Sequence, residues 1–253
     1  YCLAFEKSRH VFLPDVTLEQ VYKAYEFDRI LRDILTEALE IIEVDFRTAV
    51  AYRFGFAHGP FGHAQASWFY RWMGHGEWLS KVQEETKRSK EIFVTHFSAK
   101  YQEYPNLPVW IVTEVMSLGN LSRMFANMVK TDQKDIAMRY VLQPADLVSW
   151  MHHVTYIRNL CAHHSRVWDR AWSVKPALPP ANGWQPPRLP SNDRLFVSLL
   201  LLNHLLKHCQ GMDGYATEWR RRIDTHMTTP PAAPNAFVVM GLTPQWQAHE
   251  FWA

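Results

Sequence analysis

YEFDRILRDILTEALEIIEVDFRTAVAY, residues 25–52, decides the fold. Apolar side chains recur there at Tyr25, Ile30, Leu31, Ile34, Leu35, Leu39, Ile42 and Phe46, with Val21 just ahead. A helix returns to the same face every three or four residues, so this pattern reads as one long amphipathic helix. Thr17, after Pro14, supplies an N-cap and starts it near Leu18. Gly55, Gly59, Pro60 and Gly62 are expected to break it.

The same reading extends outward. Residues 77–101 form a charged, more exposed helix, and residues 109–129 a largely apolar one carrying Gly119. Residues 132–140 make a short helix. Pro144 fits the first position of the next, in which Leu147, Trp150, Met151, Val154, Ile157 and Cys161 fall on one stripe. A Pro-rich loop covers residues 176–190. Asn192 or Asp193 then caps a very apolar helix through His208, and residues 215–227 form another. The tail, residues 228–253, is Pro-rich and irregular with a Trp-rich end. With no internal repeat and no run of strands, the expectation is an all-α fold: one helical domain over residues 1–253 with irregular ends.

Composition narrows the function. Hydrophobic content of 47% and charged content of 21% exclude a disordered chain. A net charge of +2 does not by itself declare a nucleic-acid binder. The 11 Trp read mainly as core rings, with a stacking surface as the alternative. Cys2, Cys161 and Cys209 form no CxxC pair, so no disulfide framework is indicated and a reducing cytoplasm is the expected setting. The longest apolar run, residues 195–206, is interrupted by Ser198, Asn203 and His204 and is too short to span a bilayer. No secretory signal is visible. The chain opens on Tyr1 rather than Met, so a preceding portion is expected to be missing.

Chemistry concentrates in Arg158-Asn159-Leu160-Cys161-Ala162-His163-His164, at the end of the stripe-bearing helix. At about 100° per residue, Arg158 lands in the middle of the stripe, with Asn159, His163 and His152 on one flank. His153 and His164 fall on the other side. An arginine buried unpaired there would cost several kcal/mol, so the stripe is expected to open onto a cleft or a partner chain. Asn159 and His163 are neighbours on the helix surface, whereas Arg158 and His163 are not. Either the last turn is distorted, or the site combines two copies of the helix. A histidine that titrates near neutrality can move a proton at a ribose 2′-hydroxyl or at a leaving 5′-oxygen. An arginine can hold the phosphate. That is metal-independent RNA cleavage with no cofactor, and no tight carboxylate cluster suggests two-metal chemistry. The competing reading is structural: Arg158 pairs with a buried carboxylate such as Glu43 or Glu114, and His163 caps the helix.

Other constellations are secondary. His204 and His208 share a helical face, with Cys209 or Cys161 as further donors, but Leu205 stands where a zinc protease carries Glu. Arg220, Arg221 and Arg222, and Lys87 with Arg88 and Lys90, are basic runs able to contact phosphates, though such runs are usually solvated faces. Glu43 and Arg47 read as a helix ion pair, with a place at the border of the cleft as the alternative.

At the Arg158-Asn159…His163 turn the chain resembles the Abi-like (abortive infection, Abi-2) family of the HEPN superfamily of helical ribonucleases. That signature is an arginine, commonly followed by asparagine, with a histidine a few residues on. His164, Arg166 and Trp168 resemble its extended form. Residues 25–52 resemble the family's first long helix. Leu107-Pro108-Val109-Trp110, Glu114 and residues 118–122 (LGNLS) resemble its middle helix, and residues 240–246 (MGLTPQW) its C-terminal end. The likeness spans nearly the whole chain, an N-terminal portion of the family excepted. Asp169 stands where the family often has Asn, and is given no role.

The resemblance implies a HEPN-like helical bundle and a metal-independent endoribonuclease or toxin of bacterial phage defence. It also implies a homodimer with facing motifs, and control by a small non-coding RNA or protein antitoxin. Arg158, Asn159 and His163 would then be catalytic, with His164, Arg166, Glu43 and Arg47 as accessory positions. A non-catalytic RNA-binding or antitoxin-binding protein using the same cleft stays open, as does a purely structural helical protein. If Arg158 and His163 are both buried and internally paired, the last is favoured.

Overall fold

Thr17 caps the longest element reciprocally. Its backbone N–H donates to Gln20 Oε1 at 2.8 Å, and its hydroxyl accepts from the Gln20 N–H at 3.3 Å, the paired bonds of a capping box. From there helix α1 runs Leu18–His58 in the computed structural model, which describes residues 1–9 and 11–253. Gly55 does not interrupt it. A Cβ at that position would lie 3.1 Å from Val109 Cγ1, so the glycine serves a close approach inside a continuous helix. The end comes at Gly59, whose φ of +74° is the left-handed conformation that closes helices.

The remaining helices are α2 (His75–Arg88), α3 (Ile92–Lys100), α4 (Val109–Val115), α5 (Leu118–Asn127), α6 (Lys130–Arg139), α7 (Pro144–Ala162), α8 (Leu195–His208), α9 (Tyr215–His226) and the single turn α10 (Ala236–Val239). This is the all-α fold the periodicity indicates. Two expected helices prove to be pairs. The segment 77–101 breaks at Ser89, which turns extended and accepts the Glu91 N–H on its hydroxyl at 3.3 Å. The segment 109–129 breaks at Met116, and Ser117 caps α5 by accepting the Asn120 N–H. In both, a serine side chain offers the backbone a local alternative to the helical bond.

Two further expectations are corrected. Neither Asn192 nor Asp193 caps α8: Arg194 holds the cap position, and the Asp193 carboxylate is taken by Ser191 and by Lys175 at 2.8 Å. An antiparallel pair of short strands, β1 (Glu6–Ser8) and β2 (Val11–Phe12), precedes α1.

The chain divides into two compact units, residues 1–42 with 156–253, and residues 43–155. In the second, Phe46 and Phe125 meet edge to face at 5.3 Å, and Tyr140 donates to Asp45 at 2.6 Å. In the first, α8 is buried on nearly every side and packs with α9. Trp219 of α9 donates to the Ile34 carbonyl of α1 at 2.9 Å. The irregular tail belongs to this core. Trp246 and Trp252 are buried, Trp252 donates to Asp224 at 3.0 Å, and Asn203 donates to the Phe251 carbonyl at 2.8 Å.

Candidate functional site

The buried side of α7 changes along its length. Leu147, Trp150, Met151 and Val154 are buried in its first part, Ile157, Leu160 and Cys161 in its last. At about 100° per residue the centre of that arc slips by roughly 70° between the two parts. Arg158 therefore lies off the stripe: it is exposed, as are Asn159, His163 and His164. The expectation of a charge embedded in the stripe is overturned, because a stripe spaced at three rather than at three to four residues rotates against the helix. Glu43 pairs with Arg47, and Glu114 is exposed.

The helix does not distort before His163. The His163 N–H still reaches the Asn159 carbonyl at 3.0 Å, the regular helical bond. On such a helix Arg158 and His163 point about 140° apart. Asn159 and His163 are one turn apart on the same side. Distortion begins only at His164, whose φ is +54°. Its N–H bonds to the Cys161 carbonyl at 3.0 Å, and the Ser165 N–H to the Leu160 carbonyl at 2.9 Å. These two bonds are a Schellman closure, with a histidine at the position glycine usually takes. The helix end is thus capped by backbone, not by the His163 ring. Among the described residues neither the His163 nor the His164 ring makes a hydrogen bond, ion pair or ring contact.

What fixes the turn is a carboxylate on α1. Asp28 is wholly buried and accepts the Val167 N–H at 3.0 Å and the Trp168 N–H at 2.8 Å. It also accepts from the Arg32 guanidinium and from the Tyr1 hydroxyl. Arg32 reaches on to the Ser165 carbonyl at 3.5 Å. Burial and the Asp28 carboxylate hold the Tyr1 phenol up at about 12, so it stays a donor. Sequence reasoning missed Asp28 and Arg32. The available signal was a carboxylate on a core face, since Ala24, Asp28, Leu31 and Leu35 share the buried side of α1. A buried charge demands partners, and here they are the residues that follow the motif.

Other sequence-selected residues have structural employment. Arg166 lies 3.9 Å from Asp169, a loose pair. Arg47 holds Glu43 and donates to the Thr113 and Met116 carbonyls, which ties off the end of α4. Arg220 donates to the Trp252 carbonyl, Arg221 pairs with Glu218 at 2.6 Å, and Arg222 pairs with Glu37. Arg220 and Arg222 thus tie α9 to the tail and to α1, while Arg221 and Glu218 form an exposed pair on one turn. Cys161 is buried and its thiol pushed up to about 12 by desolvation, which disfavours the thiolate. The His204 and His208 rings meet at 4.6 Å, tilted by 37°, and among the described residues no group of three or more His, Cys, Asp or Glu is placed to hold a metal ion. Among the described residues no helix is long and apolar enough to cross a membrane. A cavity of about 900 Å³, lined by Phe61, Phe93, Phe97, Tyr101 and Trp110 among others, contains none of the motif residues.

An exposed arginine, amide and imidazole on a rigid helix end can bind an oxyanion and move a proton. A family model described as Abi-like protein matches residues 1–169, which include the whole turn and the Asp28 clamp. No curated protein and no solved structure matches the chain.

Proposed function

The chain belongs to the Abi-like protein family, and on that premise we propose that it is an endoribonuclease of the HEPN type acting in abortive-infection defence against phage. The carrying observation is that Arg158, Asn159 and His163 stand exposed on one helix end that a buried carboxylate holds in place. Side chains kept for packing alone would be expected to face the core. In this reading Arg158 binds the scissile phosphate and stabilises its developing charge, while His163 takes the proton of the ribose 2′-hydroxyl. Asn159, one turn back on the same side, orients the site. Attack of the 2′-oxygen leaves a 2′,3′-cyclic phosphate and a 5′-hydroxyl.

The working site is composite, built in a homodimer. The regular bond at His163 supports this, because one straight helix presents Arg158 and His163 about 140° apart. A two-fold pairing sets a second motif opposite the first. RNA is the substrate, and a small RNA or a protein antitoxin restrains the enzyme in the cytoplasm.

The test is incubation of purified protein with RNA in excess EDTA, beside His163→Ala, with mass-spectrometric analysis of the product ends. Cleavage by the wild type alone, with cyclic phosphate ends, supports the reading. RNA binding without turnover would instead establish a non-catalytic antitoxin- or RNA-binding role for the same surface.

A further inference from the structure

We propose that His164 is the second proton-transfer residue of this site, delivering a proton to the 5′-oxygen that leaves while His163 removes one from the 2′-hydroxyl. This inference rests on the ribonuclease reading above.

Cleavage of RNA through the 2′-oxygen moves two protons. The 2′-oxygen loses one as its bond to phosphorus forms, and the 5′-oxygen needs one as its bond to phosphorus breaks. An alkoxide is a poor leaving group at neutral pH, so the second transfer matters as much as the first. Arg158 cannot supply it, since a guanidinium stays protonated. The Cys161 thiol faces inward and is desolvated. The Tyr1 hydroxyl is spent on Asp28. His164 is the exposed, titratable group next to His163, and among the described residues its ring, like that of His163, has no partner.

Its placement is fixed. The two bonds of the helix closure and the Asp28 carboxylate hold the backbone on either side of it. Both imidazoles are thus exposed on one turn whose backbone is held from both sides. The left-handed conformation alone is no sign of function, because Val141 adopts it at the end of α6. It is useful in another way. Glycine occupies that conformation at less cost than histidine, so His164→Gly removes the ring while leaving the turn intact.

In the balanced step the neutral His163 ring takes the 2′-proton, the 2′-oxygen–phosphorus bond forms, and the phosphorus–5′-oxygen bond breaks. The His164 imidazolium protonates the departing oxygen, and both rings re-equilibrate with water. No oxidant, reductant or metal enters.

The experiment compares wild type, His164→Gly and His163→Ala on two substrates: an RNA dinucleotide, and a uridine 3′-(4-nitrophenyl phosphate) whose leaving group departs without a proton. His164→Gly should lose about 100-fold or more on the dinucleotide. It should stay within about threefold on the nitrophenyl ester and lose the alkaline limb of the pH–rate profile. Its melting temperature should equal or exceed that of the wild type. His163→Ala should fail on both substrates. If His164→Gly cleaves the dinucleotide at the wild-type rate while His163→Ala is dead, this assignment fails and the ribonuclease reading stands. Equal loss on both substrates also overturns the general-acid role. A wild type that cleaves neither substrate sinks both.

Discussion

At the residue scale, exposure separates chemistry from stability. His163 lies on the surface of α7 and its ring has no partner among the described residues, so removing it should change stability by no more than about 0.5 kcal/mol. His163→Ala is therefore expected to melt like the wild type and to lose RNA cleavage; a collapsed melting transition would return the turn to a structural role. Asp28 behaves oppositely. Asp28→Ala strips the Val167 and Trp168 N–H groups of their acceptor and leaves the buried Arg32 cation without its carboxylate. Breaking a buried pair of this kind costs about 3–5 kcal/mol. Chemical denaturation of Asp28→Ala should show a loss of that size, with cleavage lost as well. A loss below about 1 kcal/mol would mean that the clamp does not hold the turn.

At the scale of elements, helix ends and a buried imidazole set the measurable behaviour. α6 closes as α7 does, with Leu142 N–H on the Ala137 carbonyl at 3.1 Å and Val141 at φ +54°. A β-branched residue is costly there, and Val141 is exposed, so packing does not repay it. Val141→Gly is expected to raise stability by about 1 kcal/mol in denaturant titration, whereas a loss would show that the Val141 side chain is worth more than its strain. His63 is buried in the unit of residues 43–155, and desolvation pushes its ring down to about 4. The unfolded chain takes up that proton near pH 6.5, so between about 6.5 and 4 it binds more protons than the folded one. Stability should fall as pH falls through that window, by up to about 3 kcal/mol from this group. His63→Phe should flatten the slope of melting temperature against pH. Some slope should persist, because burial also lowers His226 and His249.

At the scale of the molecule, the tail and the copy number are the open variables. Trp246 and Trp252 sit in the core of the first unit, where Trp252 meets Trp219 at 5.8 Å. Deleting residues 246–253 should therefore abolish cooperative melting rather than trim a loose end; an unchanged transition would show that this unit closes without them. The composite site we propose predicts a dimer by light scattering and partial recovery of cleavage when Arg158→Ala and His163→Ala proteins are mixed. A phosphate or RNA bound by motifs from both copies should favour the dimer, because a ligand stabilises the state that binds it. A monomer cleaving at full rate would refute the composite arrangement.

The sequence alone determined the helices, because hydrophobic periodicity is a local property: residues three and four apart share a face whatever lies beyond. Thr17 with Gln20, and Pro144 at the head of α7, were legible for the same reason. So was the placing of Asn159 and His163 on one side of α7, since residues four apart in a helix are neighbours. Breaks at Ser89 and Met116 were not legible, since a helix and its interruption differ there by one side-chain hydrogen bond. Tertiary structure alone decided which way Arg158 points, because the buried face of α7 is set by what packs against each part. It alone joined Asp28 to Val167 and Trp168, which stand 139 and 140 positions away. A carboxylate in a sequence states that it needs donors; only the folded backbone, closing the chain over that distance, says which ones it gets.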